Sequence, residues 1–239
     1  MDAVRACVLG ASGGIGAALV HRLAEAGCET IYAGTRTSTA SSTERVQPFR
    51  FDLLDEASLG AAARRIAAEG PLDLVIVATG MLHRVGIRPE RSARQIDLAA
   101  MEELFAINSI GPALAAKYFL PLLACERRAV IAFLSARVGS IGDNRLGGWH
   151  SYRASKAALN ALVRCFAIEL AQRNREAIAV ALHPGTVDTA LSAPFKRNVP
   201  VDRLFRPGDG ARHLLAVIGG LTPEDSGGFF AWDGSRIEF

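Results

Sequence analysis

The chain has 239 residues, 50% of them hydrophobic and 21% charged, with a mean hydropathy of +0.21. That balance excludes a disordered chain and supplies one large domain, residues 1–239, with a sizeable core. A formal net charge of +3 is too small and dispersed for a nucleic-acid partner, and no apolar run reaches the roughly 18 residues of a membrane span.

Arg84, Arg88, Arg91 and Arg94 form a local basic cluster that reads as a solvated loop face. The N-terminus lacks a signal-peptide layout. Cys7, Cys28, Cys125 and Cys165 are scattered without metal-ligand spacing, as expected of four buried thiols in a reducing cytoplasm. No metal site is expected.

Ala3 to Leu9 reads as a buried strand. It meets Gly10-Ala11-Ser12-Gly13-Gly14-Ile15-Gly16, after which Ala17, Ala18, Leu19, Val20, Leu23 and Ala24 follow a helical pattern. Strand, glycine turn and helix form the context of a nucleotide-phosphate site. Gly10 permits the tight turn, Gly14 lets a diphosphate approach backbone N–H groups, and Gly16 lets helix pack on strand. Ser12, Gly13 and Ile15 complete the loop.

A second strand, Glu29 to Ala33, ends in Gly34-Thr35-Arg36. A cofactor with a free ribose 2′-hydroxyl usually meets an acid at this distance past the glycine turn. Here Arg36 stands there, with Thr35, Thr37 and Ser38 around it. A cation and hydroxyls suit a 2′-phosphate, so NADP(H) is expected in preference to NAD(H).

Gln47 to Phe51 is a third strand. Asp52 follows, placed either to bond an adenine edge or to cap its own loop, and a helix capped near Asp55 runs to Glu69. Leu72 to Ala78 is a strong buried strand ending in Thr79-Gly80. Apolar strands alternating with helices predict an α/β fold of Rossmann type: a doubly wound parallel sheet of about seven strands with helices on both faces. Ligands of such sheets bind beyond the carboxyl ends of the strands, where Gly10, Arg36, Asp52, Gly80, Ser135 and Pro184 all fall.

A long helical segment from Asp97 to Leu122 is interrupted at Asn108-Ser109-Ile110-Gly111-Pro112. Pro112 cannot bond the carbonyl of Asn108, and the freed carbonyl with the amide side chain is suited to an ordered water. Ala129 to Leu134 is the next strand. Tyr152 and Lys156 then open a helix, four residues apart on one face. An ammonium beside a phenol, with the positive helix end behind, favours the phenolate and brings its pKa down toward the working pH. Ile178 to Leu182 and Gly227 to Trp232 are further strands. Between them, residues 187–207 hold Pro194, Pro200 and Pro207 and read as a flap over a substrate. His83, His150 and His213 have no metal spacing. His183 neighbours the Pro184 turn, and Trp149 and Phe195 read either as pocket lining or as packing.

Taken together, Gly10-x-x-x-Gly14-x-Gly16, Asn108, Tyr152-x-x-x-Lys156 and Pro184-Gly185 with Thr186 and Thr189 resemble the short-chain dehydrogenase/reductase family in its short single-domain branch. Ser135 to Ile141 and the Gly-Phe-Phe-Ala-Trp-Asp-Gly ending resemble its C-factor-like and sniffer-like carbonyl reductases. The resemblance implies an oxidoreductase moving a hydride between NADP(H) and a ketone, aldehyde or secondary alcohol. Tyr152 would be the general acid/base, Lys156 would hold the nicotinamide ribose, and Asn108 would fix a water linking Lys156 to solvent. A strand-end hydroxyl would bond the substrate oxygen, and Pro184, Gly185, Val187 and Thr189 would line the nicotinamide. A homodimer or homotetramer through the two long helices is also implied.

Two departures stand out. The family's second serine is Ala136 here, so Ser135 takes the role, or Ser140 or Ser151 reaches in, or the site works without one; Ser135 is favoured. The usual Asn-Asn-Ala-Gly is Val77-Ala78-Thr79-Gly80. An NADP(H)-binding sensor or signalling protein with little turnover is the alternative. An epimerase or dehydratase wants a longer C-terminal region than this chain has.

Overall fold

The structure, a computed structural model, describes residues 4–37, 43–200 and 203–239. Ser38, and residues 201 and 202 of the expected flap, lie outside the described residues.

Seven strands form one parallel sheet: β1 (Arg5–Leu9), β2 (Thr30–Thr35), β3 (Val46–Arg50), β4 (Leu74–Val77), β5 (Ala129–Leu134), β6 (Ala177–His183) and β9 (Phe229–Ala231). Their order is β3-β2-β1-β4-β5-β6-β9. Chain direction across the sheet reverses between β1 and β4, the switch point beside which ligands of open α/β sheets bind.

Each strand alternates its side chains between two apolar layers. Cys7, Leu9, Val75, Val77, Ile131 and Phe133 meet α2 (Glu56–Ala67), α4 (Gly111–Phe119) and α5 (His150–Arg173). Ala6, Val8, Leu74, Ile76, Val130 and Ala132 meet α1 (Gly14–Glu25) and α6 (Pro207–Gly220). A fully buried Leu, Ile or Phe contributes about 1.5–3 kcal/mol, so these two layers carry most of the stability. Both faces are covered, as the near-continuous apolar runs require.

Several expectations change in detail. The predicted helix from Asp97 is α3 (Leu98–Phe105), a π turn over Ala106–Ile110, and then α4. Asp97 caps α3 by accepting from Ala100 N, and the Gly111 N–H donates to the Ala106 carbonyl, the wider spacing of a π turn. The interruption is thus an inserted residue as well as a missing proline N–H. Helix α6 falls where the sequence reading placed no element. The segment expected to form a flap has its ends joined, because β7 (Thr186–Val187) pairs with β8 (Leu204–Phe205). The thiols divide: Cys7 and Cys28 are buried, whereas Cys125 and Cys165 are exposed. Cys165 sits on the outer face of α5, which an apolar composition alone did not reveal. The four arginines of the basic cluster are all exposed, and Arg84 pairs with Glu103 through its Nε at 2.6 Å.

Candidate active site

The glycine turn is built by close approach. Gly10 has φ +95°, and a Cβ there would stand 3.1 Å from the Ala78 carbonyl, so β1 and β4 leave room only for glycine. Its N–H and that of Ala11 both donate to the Gly34 carbonyl, at 3.0 and 2.9 Å. A Cβ at Gly16 would overlap the Gly10 carbonyl, so the helix packs directly on its own turn. Helix α1 starts at Gly14 with no side-chain cap and no acidic residue in its first turn. Its first N–H groups are therefore open to an anion. The face of Gly14 is bordered by Thr189, whose Cγ2 would lie 2.7 Å from a Cβ at that position.

Beyond β1, β4, β5 and β6 opens a cleft of about 980 Å³. Tyr152 and Lys156 reach it from the first two turns of α5, 6% and 2% exposed. The Lys156 Nζ donates to the Leu134 carbonyl at 2.8 Å, which pins the amine to the end of β5. The expected lowering of the Tyr152 pKa is not what this arrangement produces. Burial pushes the phenol up and pushes the amine down, to about 7. Desolvation disfavours both charged forms. His183, also on the cleft wall, is held down at about 4, first by burial and then by Arg137.

Asn108 stands behind the cleft, wholly buried in the π turn. Its Oδ1 accepts from Met81 N at 2.8 Å, and its Nδ2 donates to Met81 O at 2.8 Å and to Ser155 Oγ at 3.1 Å. The side chain therefore joins the loop after β4 to α5. Gly80 lies between these groups: a Cβ there would sit 3.4 Å from Lys156 Nζ and 3.5 Å from Asn108 Oδ1.

Of the serines, Ser135 lines the cleft and donates to Asn160 Oδ1 at 2.7 Å. Ser140 accepts from Asp143 N at 3.0 Å, and Ser151 is turned toward Glu90. Gly13, Gly14, Ile15, Gly16 and Gly80 line the cleft with Ser135, Tyr152, Lys156, Pro184, Gly185, Val187 and Thr189. Trp149 and Phe195 line it too, their rings 5.0 Å apart. Ser12 instead lines a second hollow of about 480 Å³ with Thr35 and Thr37, and Arg36 is exposed at the end of β2. The Asp52 Oδ1 accepts from Leu54 N at 3.0 Å, turning its own loop.

Several residues of the site escaped the sequence reading. Asn160, which holds Ser135, lies at i+4 from Lys156 and i+8 from Tyr152, so helical spacing would have found it. Gly139 lets the β5 loop touch α5, since a Cβ there would stand 2.8 Å from Lys156 Cβ. Thr79, where the family usually has alanine, presents a buried Oγ1 without a protein partner among the described residues. The uncapped α1 terminus, the unpaired Thr79 hydroxyl and the cleft volume fit a phosphate-bearing dinucleotide.

A profile of the short chain dehydrogenases matches residues 5–200. The C-signal of Myxococcus xanthus is 37% identical over 142 residues, covering 59% of this chain and 80% of that protein. The NADPH-bound carbonyl reductase from chicken fatty liver is 26% identical and superposes with a TM-score of 0.84, covering 99% of this chain and 95% of that one. The carbonyl reductase Sniffer of Drosophila melanogaster, at 21% identity, shares the fold over 100% of both chains with a TM-score of 0.86. With its seven-stranded parallel sheet, its glycine turn and its cleft at the strands' carboxyl ends, the chain belongs to the short-chain dehydrogenase family of oxidoreductases.

Proposed function

We propose that the protein is an NADP(H)-dependent carbonyl reductase, acting on a ketone, aldehyde or secondary alcohol as one domain with residues 187–207 as its substrate flap. The observation that carries this reading is the pair Tyr152 and Lys156, buried side by side on the wall of the cleft into which the open end of α1 points. The cofactor, when bound, supplies or accepts the hydride. The protein's residues handle the proton.

Burial keeps the proton on the Tyr152 Oη at neutral pH, so the ligand-free protein is set to donate it, the role needed for carbonyl reduction. Lys156, near neutrality in its titration, can exchange a proton at Nζ while the Leu134 carbonyl holds it in place. Ser135 has its proton committed to Asn160, so to donate to a substrate oxygen the hydroxyl must rotate. Asn108 positions the loop and the helix on either side of Gly80. Arg36, with Ser12, Thr35 and Thr37 close by, supports the choice of a 2′-phosphate. The chicken reductase binds NADPH in its own crystal structure.

We also place the protein in the cytoplasm as a homodimer or homotetramer. No helix among the described residues is long and apolar enough to cross a membrane, and Ile110 and Ile168 stand exposed near the two long helices. Ser135, which lines the cleft beside Ala136, supports turnover over the sensor alternative.

The test is NADPH oxidation with a panel of aldehydes and ketones. Tyr152→Phe should lower kcat/KM by about a hundredfold or more, the usual worth of a positioned acid, while NADPH binding is spared. Retained turnover in that variant would remove Tyr152 from the mechanism.

A further inference from the structure

Helix α5 lacks a cap of its own. The residue before its first turn is Trp149, which has φ 53° and ψ 39° and makes no side-chain cap bond. Gly147 and Gly148, with φ +63° and +64°, lead into it, so three successive residues are left-handed. A bulky residue does not hold that conformation unless its surroundings impose it.

What imposes it comes from another part of the chain. Glu90, in the loop after β4, is 5% exposed. Its carboxylate accepts from the Ser151 N–H, with both oxygens at 3.3 Å, and from the Ser151 hydroxyl. Its backbone carbonyl accepts from Trp149 N at 2.6 Å. A Cβ at Gly148 would lie 3.2 Å from that same carbonyl, so the glycine allows the contact. Glu90 thus does from outside what an N-cap residue does from within, and its charge lies at the positive end of the helix.

Ser151 immediately precedes Tyr152. One turn further on, Ser155 accepts from Asn108 Nδ2, and its own carbonyl accepts from Ser109 Oγ at 2.6 Å. Asn108 also pairs with Met81, at the start of the loop that carries Glu90. The loop and the helix are therefore joined at two points on either side of Tyr152. The Trp149 ring lines the cleft and stands 6.2 Å from the Tyr152 ring.

We propose that Glu90 is a positioning residue of the active site: by capping α5 from outside and holding Trp149 left-handed, it sets where the Tyr152 hydroxyl and the Trp149 indole stand in the cleft. This inference rests on the carbonyl-reductase reading for its kinetic consequence and on geometry alone for its spectroscopic one.

The kinetic experiment measures kcat with benzaldehyde per NADPH-binding site, so that unfolded protein does not count. Glu90→Ala should lower kcat by about tenfold or more, the scale of an ångström-sized misplacement, with the NADPH Kd within about twofold of wild type. Glu90→Gln keeps an acceptor for Ser151 and should restore kcat to within about threefold. A purely stabilising role would lower the melting temperature and leave kcat per site unchanged, and that result overturns the proposal. If Glu90→Ala does not fold, Glu90→Asp, one methylene too short to reach Ser151, replaces it with the same two outcomes.

The second readout needs no turnover. In a Trp232→Phe background Trp149 is the sole tryptophan. Glu90→Ala, by releasing Ser151 and so the loop whose Glu90 carbonyl holds Trp149 N, should shift its emission to the red as the ring leaves Tyr152 and Phe195. Unchanged emission overturns the proposal. A wild-type protein inert toward every carbonyl but with this shift intact would defeat the enzyme reading and leave the positioning of α5 standing.

Discussion

Lys156 is a buried amine that desolvation makes easier to deprotonate, and that cost is open to measurement as stability. Its pKa in the folded protein is about 7, against an ordinary value of 10.5. Between those values the unfolded chain binds a proton that the folded chain has lost. Stability must therefore rise with pH across that window, by at most about 1.4 kcal/mol per pH unit. Tyr152 has the opposite sign: its raised pKa keeps a proton that the unfolded chain gives up above pH 10, so stability falls there. Comparing cofactor-free wild type with Lys156→Met by denaturant unfolding at several pH values isolates the amine. The variant should lack the rise between pH 7 and 10, and parallel curves would show that burial does not lower the Lys156 pKa. The spacing of Tyr152 and Lys156 was visible in the sequence, but the direction of their titration was not. It depends on the walls that exclude water from both groups.

At the scale of elements, the site is a matter of how close α5 comes to the loop after β5. Gly139 sets that distance, because a Cβ there would meet Lys156 Cβ at 2.8 Å and the Lys156 carbonyl carbon at 2.9 Å. Backbone cannot give way as a flexible side chain can. Gly139→Ala should therefore cost about 1–3 kcal/mol, as overpacking does, and lower kcat more than it weakens NADPH binding. The denaturant midpoint and kcat together check this; a stable variant with full turnover would mean that loop and helix move apart freely. The π turn works on the same scale. One inserted residue turns Asn108 inward, where it bonds both backbone groups of Met81. The proline after it was legible as an interruption, whereas the π register follows from packing against α5 and the Met81 loop.

For the whole molecule, ligand binding and folding are one equilibrium. NADPH at about a hundred times its Kd should stabilise the protein by about 2.7 kcal/mol, raising the melting temperature, and NADH at the same concentration should do less. Arg36→Asp should reverse that order, and an unchanged order would separate Arg36 from the choice of cofactor. By itself the sequence determined the parallel sheet and its glycine turn. Continuous apolar strand runs, period-3.6 helix patterns, and the need for glycine where Gly10 meets Ala78 are local constraints that the residue order records. It also determined which helix face carries Tyr152 and Lys156, since four residues make one turn. Only the tertiary structure decided what lies around that face. Glu90 reaches Ser151 across 61 positions, and Asn108 reaches Met81 across 27. Such contacts leave no periodic mark, because they are set by where the sheet brings its loops together and not by the neighbours of each residue along the chain.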